Sequence, residues 1–208
     1  VPHTWTAELI LAEQPLAIVL SGGPASVYVD DAPAFDEVIL HAGVPVFGIC
    51  YGFQVMAAAL GGQVDKTGLR EYGRTTVRTT DSVLFAGQPA EQSVWMSHGD
   101  AVVKAPADCE VVAMTAATPV AAFIHRSRPL AGVQFHPEVA HTDHGQAILQ
   151  RFLYDVAGLT PNWSTEGVID TQVALVREQV GSARVICALS GGVDSAVAAA
   201  LVHKAIGP

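Results

Sequence analysis

Gly48-Ile49-Cys50-Tyr51-Gly52-Phe53-Gln54 sets a cysteine between two glycines, each two residues away, and constrains the fold more than any other stretch of the chain. Before it, Val44-Pro45-Val46-Phe47-Gly48-Ile49 is short, apolar and rich in β-branched residues, which reads as a buried strand. After it, Phe53 to Leu60 is made mostly of good helix formers and stops at Gly61-Gly62. Cys50 therefore falls at a strand-to-helix junction. The same spacing around a serine is the nucleophile elbow of hydrolases, a sharp strained turn whose neighbours must lack bulk. The dipole of the following helix is expected to favour the thiolate. The amide of Tyr51 is placed to donate to an oxyanion. A lone free cysteine is ordinarily a small core residue, but a plain core turn has little use for the flanking glycines.

A thiolate nucleophile needs a base. Leu130 to Phe135 reads as a strand, so His136 in Gln134-Phe135-His136-Pro137-Glu138 falls at a strand end, where the functional residues of α/β sheets collect. Glu138, two residues on, faces the same way and accepts a hydrogen bond from the imidazole, fixing its tautomer. Cys50, His136 and Glu138 then form a nucleophile, base and orienter.

With 208 residues, half of them hydrophobic and 15% charged, the chain has material for one full domain and part of another. The balance of 11 basic against 20 acidic residues, net −9, argues against a nucleic-acid binder, which needs a basic face. No apolar run reaches the length of a membrane span and no signal peptide opens the chain. Cys50, Cys109 and Cys187 are odd in number and widely spaced, as expected of reduced thiols in the cytoplasm.

Taken in order, Thr6–Gln14 reads as a short helix, Leu16–Leu20 as a strand, and Ala34–Ala42 as a helix leading to the Cys50 strand. Alternating strands and helices imply a parallel sheet covered on both faces. Ser21-Gly22-Gly23-Pro24 follows the first strand; alone it is an ordinary Gly-Pro turn, but its glycines also permit close approach of backbone to a ligand. From Arg74 the pattern changes to short β-like runs (75–80, 93–96, 110–114 and 120–124), a region of mixed or antiparallel strands. Between them lies a loop, Ser97-His98-Gly99-Asp100, in which His98 is equally compatible with a surface histidine and with a site residue. Glu71 and Tyr72 read as structural. His136, His141 and His144 are close enough in sequence to suggest a metal site, but Pro137 disrupts a helical face and the paired short spacings of zinc ligands are missing, so no metal is expected there. The helix Gly145–Val156 closes a first domain over residues 1–157.

Residues 158–166 hold a cluster of Gly, Pro, Asn, Ser and Thr and read as a linker. Residues 167–208 begin a second domain. Val168–Val180 is an amphipathic helix; Ala183–Leu189 reads as a buried parallel strand with Cys187 in its core; and Ser190-Gly191-Gly192-Val193-Asp194-Ser195 leads into a helix over Ala196–Ala205. A glycine-rich loop between strand and helix cradles an anion, although the Gly-Lys-Ser/Thr of the Walker loop is absent.

Gly-Ile-Cys-Tyr-Gly-Phe-Gln followed by Gly-Val-Gln-Phe-His-Pro-Glu resembles the class-I (triad-type) glutamine amidotransferases, and Leu189–Ser195 resembles the pyrophosphate loop of ATP pyrophosphatases. The two in this order, with Trp95-Met96-Ser97-His98-Gly99-Asp100 between them, are similar to the amidotransferases fused to a domain that acts on xanthosine monophosphate (XMP). The resemblance implies a flavodoxin-like mixed sheet with helices on both faces, then the first strand, loop and helix of a Rossmann-like ATP-pyrophosphatase domain. It implies catalytic Cys50, His136 and Glu138, oxyanion donors at Gly23 and Tyr51, and a glutamine site at Gln54, Ser97, His98 and Asp100, with Asp100 facing the α-ammonium. It also implies ATP binding by Ser190, Gly191, Gly192, Val193, Asp194 and Ser195, with Mg²⁺ as ATP's companion and Asp194 a candidate to hold it. The expected partners are glutamine, ATP and XMP, in a homodimer when full length. Against that pattern the chain reads as the middle of a longer reading frame: one N-terminal strand is missing, and the second domain stops early at Pro208. Two other readings stay open, an amidotransferase serving chorismate or carbamoyl phosphate enzymes and an inactive binding module that keeps the fold.

Overall fold

The computed structural model describes residues 1–29, 32–161 and 165–207. They form two compact units, Val1–Leu159 and Thr160–Pro208. Of the expected linker, Asn162, Trp163 and Ser164 lie outside the described residues.

The first unit is a seven-stranded mixed sheet. Its strands are β1 (Ile18–Leu20), β2 (Val46–Ile49), β3 (Gln63–Thr79), β4 (Glu91–Lys104), β5 (Cys109–Met114), β6 (Ala122–His125) and β7 (Leu130–Val133), in the order β1-β2-β7-β6-β5-β3-β4. The pairs β1–β2 and β2–β7 are parallel and all the others antiparallel. All four residues of β2, and all four of β7, are buried, as a near-continuous apolar run requires of a central parallel strand. Two apolar layers flank the sheet: Phe47, Phe135, Ile148 and Phe152 anchor one, and Phe53, Met56, Phe123 and Leu130 the other.

The helices are α1 (Ala7–Ala12), α2 (Val38–His41), α3 (Tyr51–Ala59) and α4 (Gly145–Arg151). Helix α3 begins directly at Tyr51 and ends in a Schellman motif: Gly61 at φ 84° and Gly62 donate to the carbonyls of Ala58 and Ala57. Helix α2 is shorter than the nine-residue run 34–42 suggests. The Asp36 carboxylate accepts the amides of Val38 (3.2 Å) and Ala7 (3.0 Å), and this side-chain bonding replaces a helical turn upstream. After α4 the chain widens into a π-helical turn over Phe152–Val156, where Phe152 stacks on Phe47 with ring centroids 4.9 Å apart.

Ser97–Asp100 is not a loop. It lies inside β4, paired with β3, and the even-numbered residues 92–102 are buried on one face. The ladder has one large irregularity: Lys66 pairs with Asp100 and Glu71 with His98, so residues 67–70 stand opposite Gly99 alone.

In the second unit α5 (Thr165–Val180) packs on α6 (Val193–Ile206) through Val173 and Ala205, and Arg177 Nε donates to the Ala205 carbonyl at 2.7 Å. The strand expected over Ala183–Leu189 does not form: the segment is irregular and exposed, and so is Cys187, which the strand would have buried. A parallel strand exists only through its ladder partners, and among the described residues nothing pairs with this one.

Candidate active site

Cys50 adopts φ 51° and ψ −106°, a conformation that costs a non-glycine residue about 1–3 kcal/mol unless its surroundings hold it there. The flanking glycines show how it is held. A methyl group added at Gly52 would lie 2.2 Å from the Leu20 carbonyl oxygen, and one at Gly48 would lie 2.7 Å from the Phe53 Cα. No side chain fits at either place, so the strand and helix close on the cysteine from both sides. Two backbone bonds lock the turn: Cys50 N–H donates to the Val133 carbonyl (2.9 Å) and Gly52 N–H to the Ser21 carbonyl (3.1 Å).

Cys50 and His136 line one cavity of about 710 Å³ on the first unit. They converge on Gly22, where an added methyl would stand 2.9 Å from His136 Cε1 and 3.5 Å from Cys50 Cβ. His136 Nδ1 lies 2.7 Å from Glu138 Oε1. The backbone of His136 is clamped as well. Its N–H donates to the Trp95 carbonyl (3.0 Å), and its carbonyl accepts the Thr142 hydroxyl (2.5 Å), which in turn accepts the Trp95 N–H (3.0 Å). Nothing in the sequence singled out Thr142, because one threonine in a polar stretch carries no motif.

The thiol of Cys50 is 4% exposed and donates to the Ser97 carbonyl at 3.7 Å. Burial pushes it up to about 11, against the lowering effect of the Tyr51 amide. The expected thiolate is therefore not the resting form: desolvation outweighs the helix terminus. A thiol of this kind reacts only when a base takes its proton during the reaction, and an imidazole tied to a carboxylate is such a base.

Of the other expected residues, Gly23, Gln54, Ser97, His98 and Asp100 line the same cavity, whereas Tyr51 and Glu138 are outside its lining. Gly23 lines it, and a methyl there would meet the Tyr51 side chain at an ordinary 3.6 Å. Ser97 contributes its carbonyl. Both oxygens of the Asp100 carboxylate are engaged, by the Ser26 hydroxyl and by the Tyr28 hydroxyl at 2.6 Å; these are contacts the sequence did not suggest. Gln54 is buried and turns its Nε2 to the Asp100 carbonyl (2.6 Å) and to Gln134 Oε1 (3.2 Å). His98 is a buried histidine, not a surface one: Nδ1 faces the Asp100 carbonyl at 2.9 Å, and Nε2 lies 3.3 Å from Glu71. Burial raises the Glu71 carboxyl, but hydrogen bonds from His98, Thr118 and Thr115 together outweigh it and hold the group below its ordinary value. Lys66 and Arg70, from β3 and its irregular segment, supply positive charge to the same rim.

In the second unit Ser190, Gly191 and Gly192 precede α6, with Gly192 as its N-cap. The loop is braced from within: Ser195 Oγ donates to the Gly192 carbonyl (2.9 Å), and Ser190 Oγ donates to Ser195 Oγ (3.0 Å). Val193 and Asp194 form the first turn of the helix. Among the described residues no group of three or more His, Cys, Asp or Glu is placed to hold a metal ion, and no helix is long and apolar enough to cross a membrane.

Residues 1–156 match the family described as glutamine amidotransferase class-I. A glutamine-hydrolyzing GMP synthase of Leifsonia xyli is 61% identical over 213 residues, covering the whole of this chain and 42% of that protein. Another from Streptomyces avermitilis is 61% identical over 209 residues, covering the whole chain and 40% of the relative. The chain thus spans about two fifths of the length of these relatives. Among solved structures, a glutamine amidotransferase from Thermotoga maritima superposes with a TM-score of 0.56 at 22% identity, over 94% of this chain and 80% of that one, a likeness of fold.

Proposed function

The chain belongs to the class-I glutamine amidotransferase family, and from that premise we propose that its first unit is the glutaminase part of a GMP synthase. The observation that carries the reading is a buried cysteine held in a strained elbow that shares one cavity with a carboxylate-tethered histidine.

In this reading glutamine enters the cavity with its side-chain carboxamide toward Cys50. Glu138 accepts a hydrogen bond from the Nδ1–H of His136, which leaves Nε2 unprotonated and free to take the thiol proton. The sulfur attacks the carboxamide carbon. The oxygen of the resulting tetrahedral species is held by the Gly23 and Tyr51 amides. His136 returns the proton to the departing nitrogen, ammonia leaves, and a γ-glutamyl thioester remains. Water, deprotonated by His136, then releases glutamate and restores the thiol. Ser97, His98 and Asp100 shape the end of the cavity that receives the α-amino acid group, with Asp100 as the anion for its ammonium.

For the second unit the reading is an ATP-pyrophosphatase domain that adenylates XMP, after which ammonia displaces AMP to give GMP. The likeness to GMP synthases over the whole chain supports it. So does the loop Ser190–Ser195, whose glycines lead into the N-terminus of a 14-residue helix, a place that suits a phosphate anion. The full-length protein would be a cytoplasmic homodimer using glutamine, Mg-ATP and XMP.

The test is peptide mass spectrometry after treatment with a diazo-ketone glutamine analogue. Labelling of Cys50 that spares Cys109 and Cys187, and that glutamine blocks, is the expected result. A folded full-length protein left unlabelled at Cys50 would sink the glutaminase reading.

A further inference from the structure

We propose that Gln134 is a further catalytic residue of this site: its side-chain N–H donates to the Cys50 sulfur as that sulfur gains negative charge, with its orientation dictated by a relay from the Asp100 carbonyl through Gln54. The inference rests on the glutaminase reading above.

Gln134 follows β7 directly and is wholly buried. The last register pair of β2 and β7 is Ile49 with Val133, and Cys50 N–H donates to the Val133 carbonyl, so the next residues, Cys50 and Gln134, stand beside each other. The orientation of the Gln134 carboxamide is not free. The Asp100 carbonyl can only accept, so the atom of Gln54 that lies 2.6 Å from it must be nitrogen. The same nitrogen lies 3.2 Å from Gln134, which must therefore present its oxygen there. This leaves the Gln134 NH₂ group on the other side, toward the elbow. His98 Nδ1, facing the same Asp100 carbonyl, ties the start of the relay to β4.

Among the described residues the Gln134 Nε2 is buried without a hydrogen-bond partner, an unfavourable state for a donor sealed from water. The Cys50 sulfur, beside it across the β2–β7 register, is the group such a donor can serve, and a donor there acts to lower the thiol against the effect of burial and of the Glu138 charge. At rest the sulfur carries a proton and points it at the Ser97 carbonyl. When His136 removes that proton, the sulfur becomes an acceptor, and Gln134 and the Tyr51 amide are the donors beside it. Gln134 transfers no proton. Its bond is strongest when the sulfur carries most charge and weakens once the thioester neutralises it, so it stabilises the reacting form selectively.

The experiment is the rate of Cys50 alkylation by iodoacetamide, followed across pH by peptide mass spectrometry on the full-length protein. Gln134→Met keeps the length and apolar fit of the side chain and removes the donor. Loss of a hydrogen bond to a charged group is expected to raise the Cys50 midpoint by about one to two pH units. Below the midpoint, alkylation slows about three- to tenfold, because the more basic thiolate is also the better nucleophile. Cys187, exposed and remote in sequence, reports any general change in reagent or access. Gln54→Met leaves Gln134 in place but unoriented, and is expected to raise the midpoint by a smaller amount. A folded Gln134→Met protein with an unchanged midpoint overturns the proposal. Should that variant fail to fold, an unchanged midpoint in Gln54→Met does the same. Failure of the glutamine analogue to label Cys50 would defeat the glutaminase reading, whereas the titration reports on the Gln134–sulfur contact whether or not glutamine is the substrate.

Discussion

Gly22→Ala separates the chemistry of this site from its stability. The added methyl would lie 2.9 Å from His136 Cε1, whereas carbon atoms rest about 3.5–4.0 Å apart, so the ring must retreat by roughly 0.6–1 Å. It is the tip of a side chain and can move, so the cost in stability is about 1 kcal/mol, the low end of overpacking. That corresponds to a fall in Tm of about 2–4 °C for a chain of this size. Retreat is constrained, however. Glu138 holds Nδ1 at 2.7 Å, and the Trp95 carbonyl and Thr142 hydroxyl hold the His136 backbone, so the movement opens the gap on the Cys50 side. A displacement of about 1 Å between reacting groups costs up to 100-fold in rate. On the glutaminase reading proposed above, in which His136 moves protons and does not hold glutamine, kcat for ammonia release is expected to fall about 10- to 100-fold with KM little changed. Gly23→Ala, which keeps its amide and meets only the Tyr51 ring at 3.6 Å, should lose far less. The assay is coupled glutamate detection beside thermal unfolding of the same preparations. A Gly22→Ala protein of normal Tm and undiminished kcat would refute the convergence of Cys50 and His136 on this glycine.

Three further outcomes follow from the same geometry. Gly52→Ala drives a methyl to 2.2 Å from the backbone oxygen of Leu20, which cannot yield as a side-chain tip can, so it should destabilise by about 3 kcal/mol or more, read as a loss of Tm, and abolish Cys50 labelling. Thr142→Val removes the hydroxyl that links the Trp95 N–H to the His136 carbonyl; with both backbone groups left short of a partner, unfolding by urea should show a loss of about 1–3 kcal/mol, accompanied by a lower kcat. The buried thiols Cys50 and Cys109, both pushed up to about 11 from 9.0, should make stability fall as pH rises through the window from 9.0 to about 11. There the unfolded chain releases protons that the folded thiols keep, so the unfolded state binds fewer protons and the slope is negative. Urea midpoints measured across that range should fall less steeply in Cys109→Ala.

What the sequence made legible was local. The elbow could be read because strand, turn and helix are consecutive and because glycine at two fixed spacings has a steric meaning. His136 and Glu138 could be placed because they follow a strongly apolar strand. The extent of β3 and β4 was hidden, since residues 63–74 are largely polar and Ser97-His98-Gly99-Asp100 is made of turn-favouring residues; it is their mutual pairing, a nonlocal fact, that makes them strands. The same limit appears in reverse at Ala183–Leu189, where an apolar, β-branched run lacks a partner and stays irregular. The protonation of Cys50 was misread for a related reason. A helix terminus is visible in sequence, but the closure of Ser97 and Gln134 over the sulfur depends on the assembled sheet. Thr142 and the Asp100 contacts of Ser26 and Tyr28 join elements far apart in the chain, and no short pattern marks them.

The break in the β3–β4 ladder has an evolutionary consequence. Residues 67–70 face a single partner residue, while the pairs on either side, Lys66 with Asp100 and Glu71 with His98, keep their own alignment. Changes of sequence or length inside that stretch would alter the rim of the cavity without passing a register shift to the rest of the sheet. Descendants of such a chain are free to vary what the pocket admits, or which neighbour it answers to, while inheriting the cysteine elbow untouched.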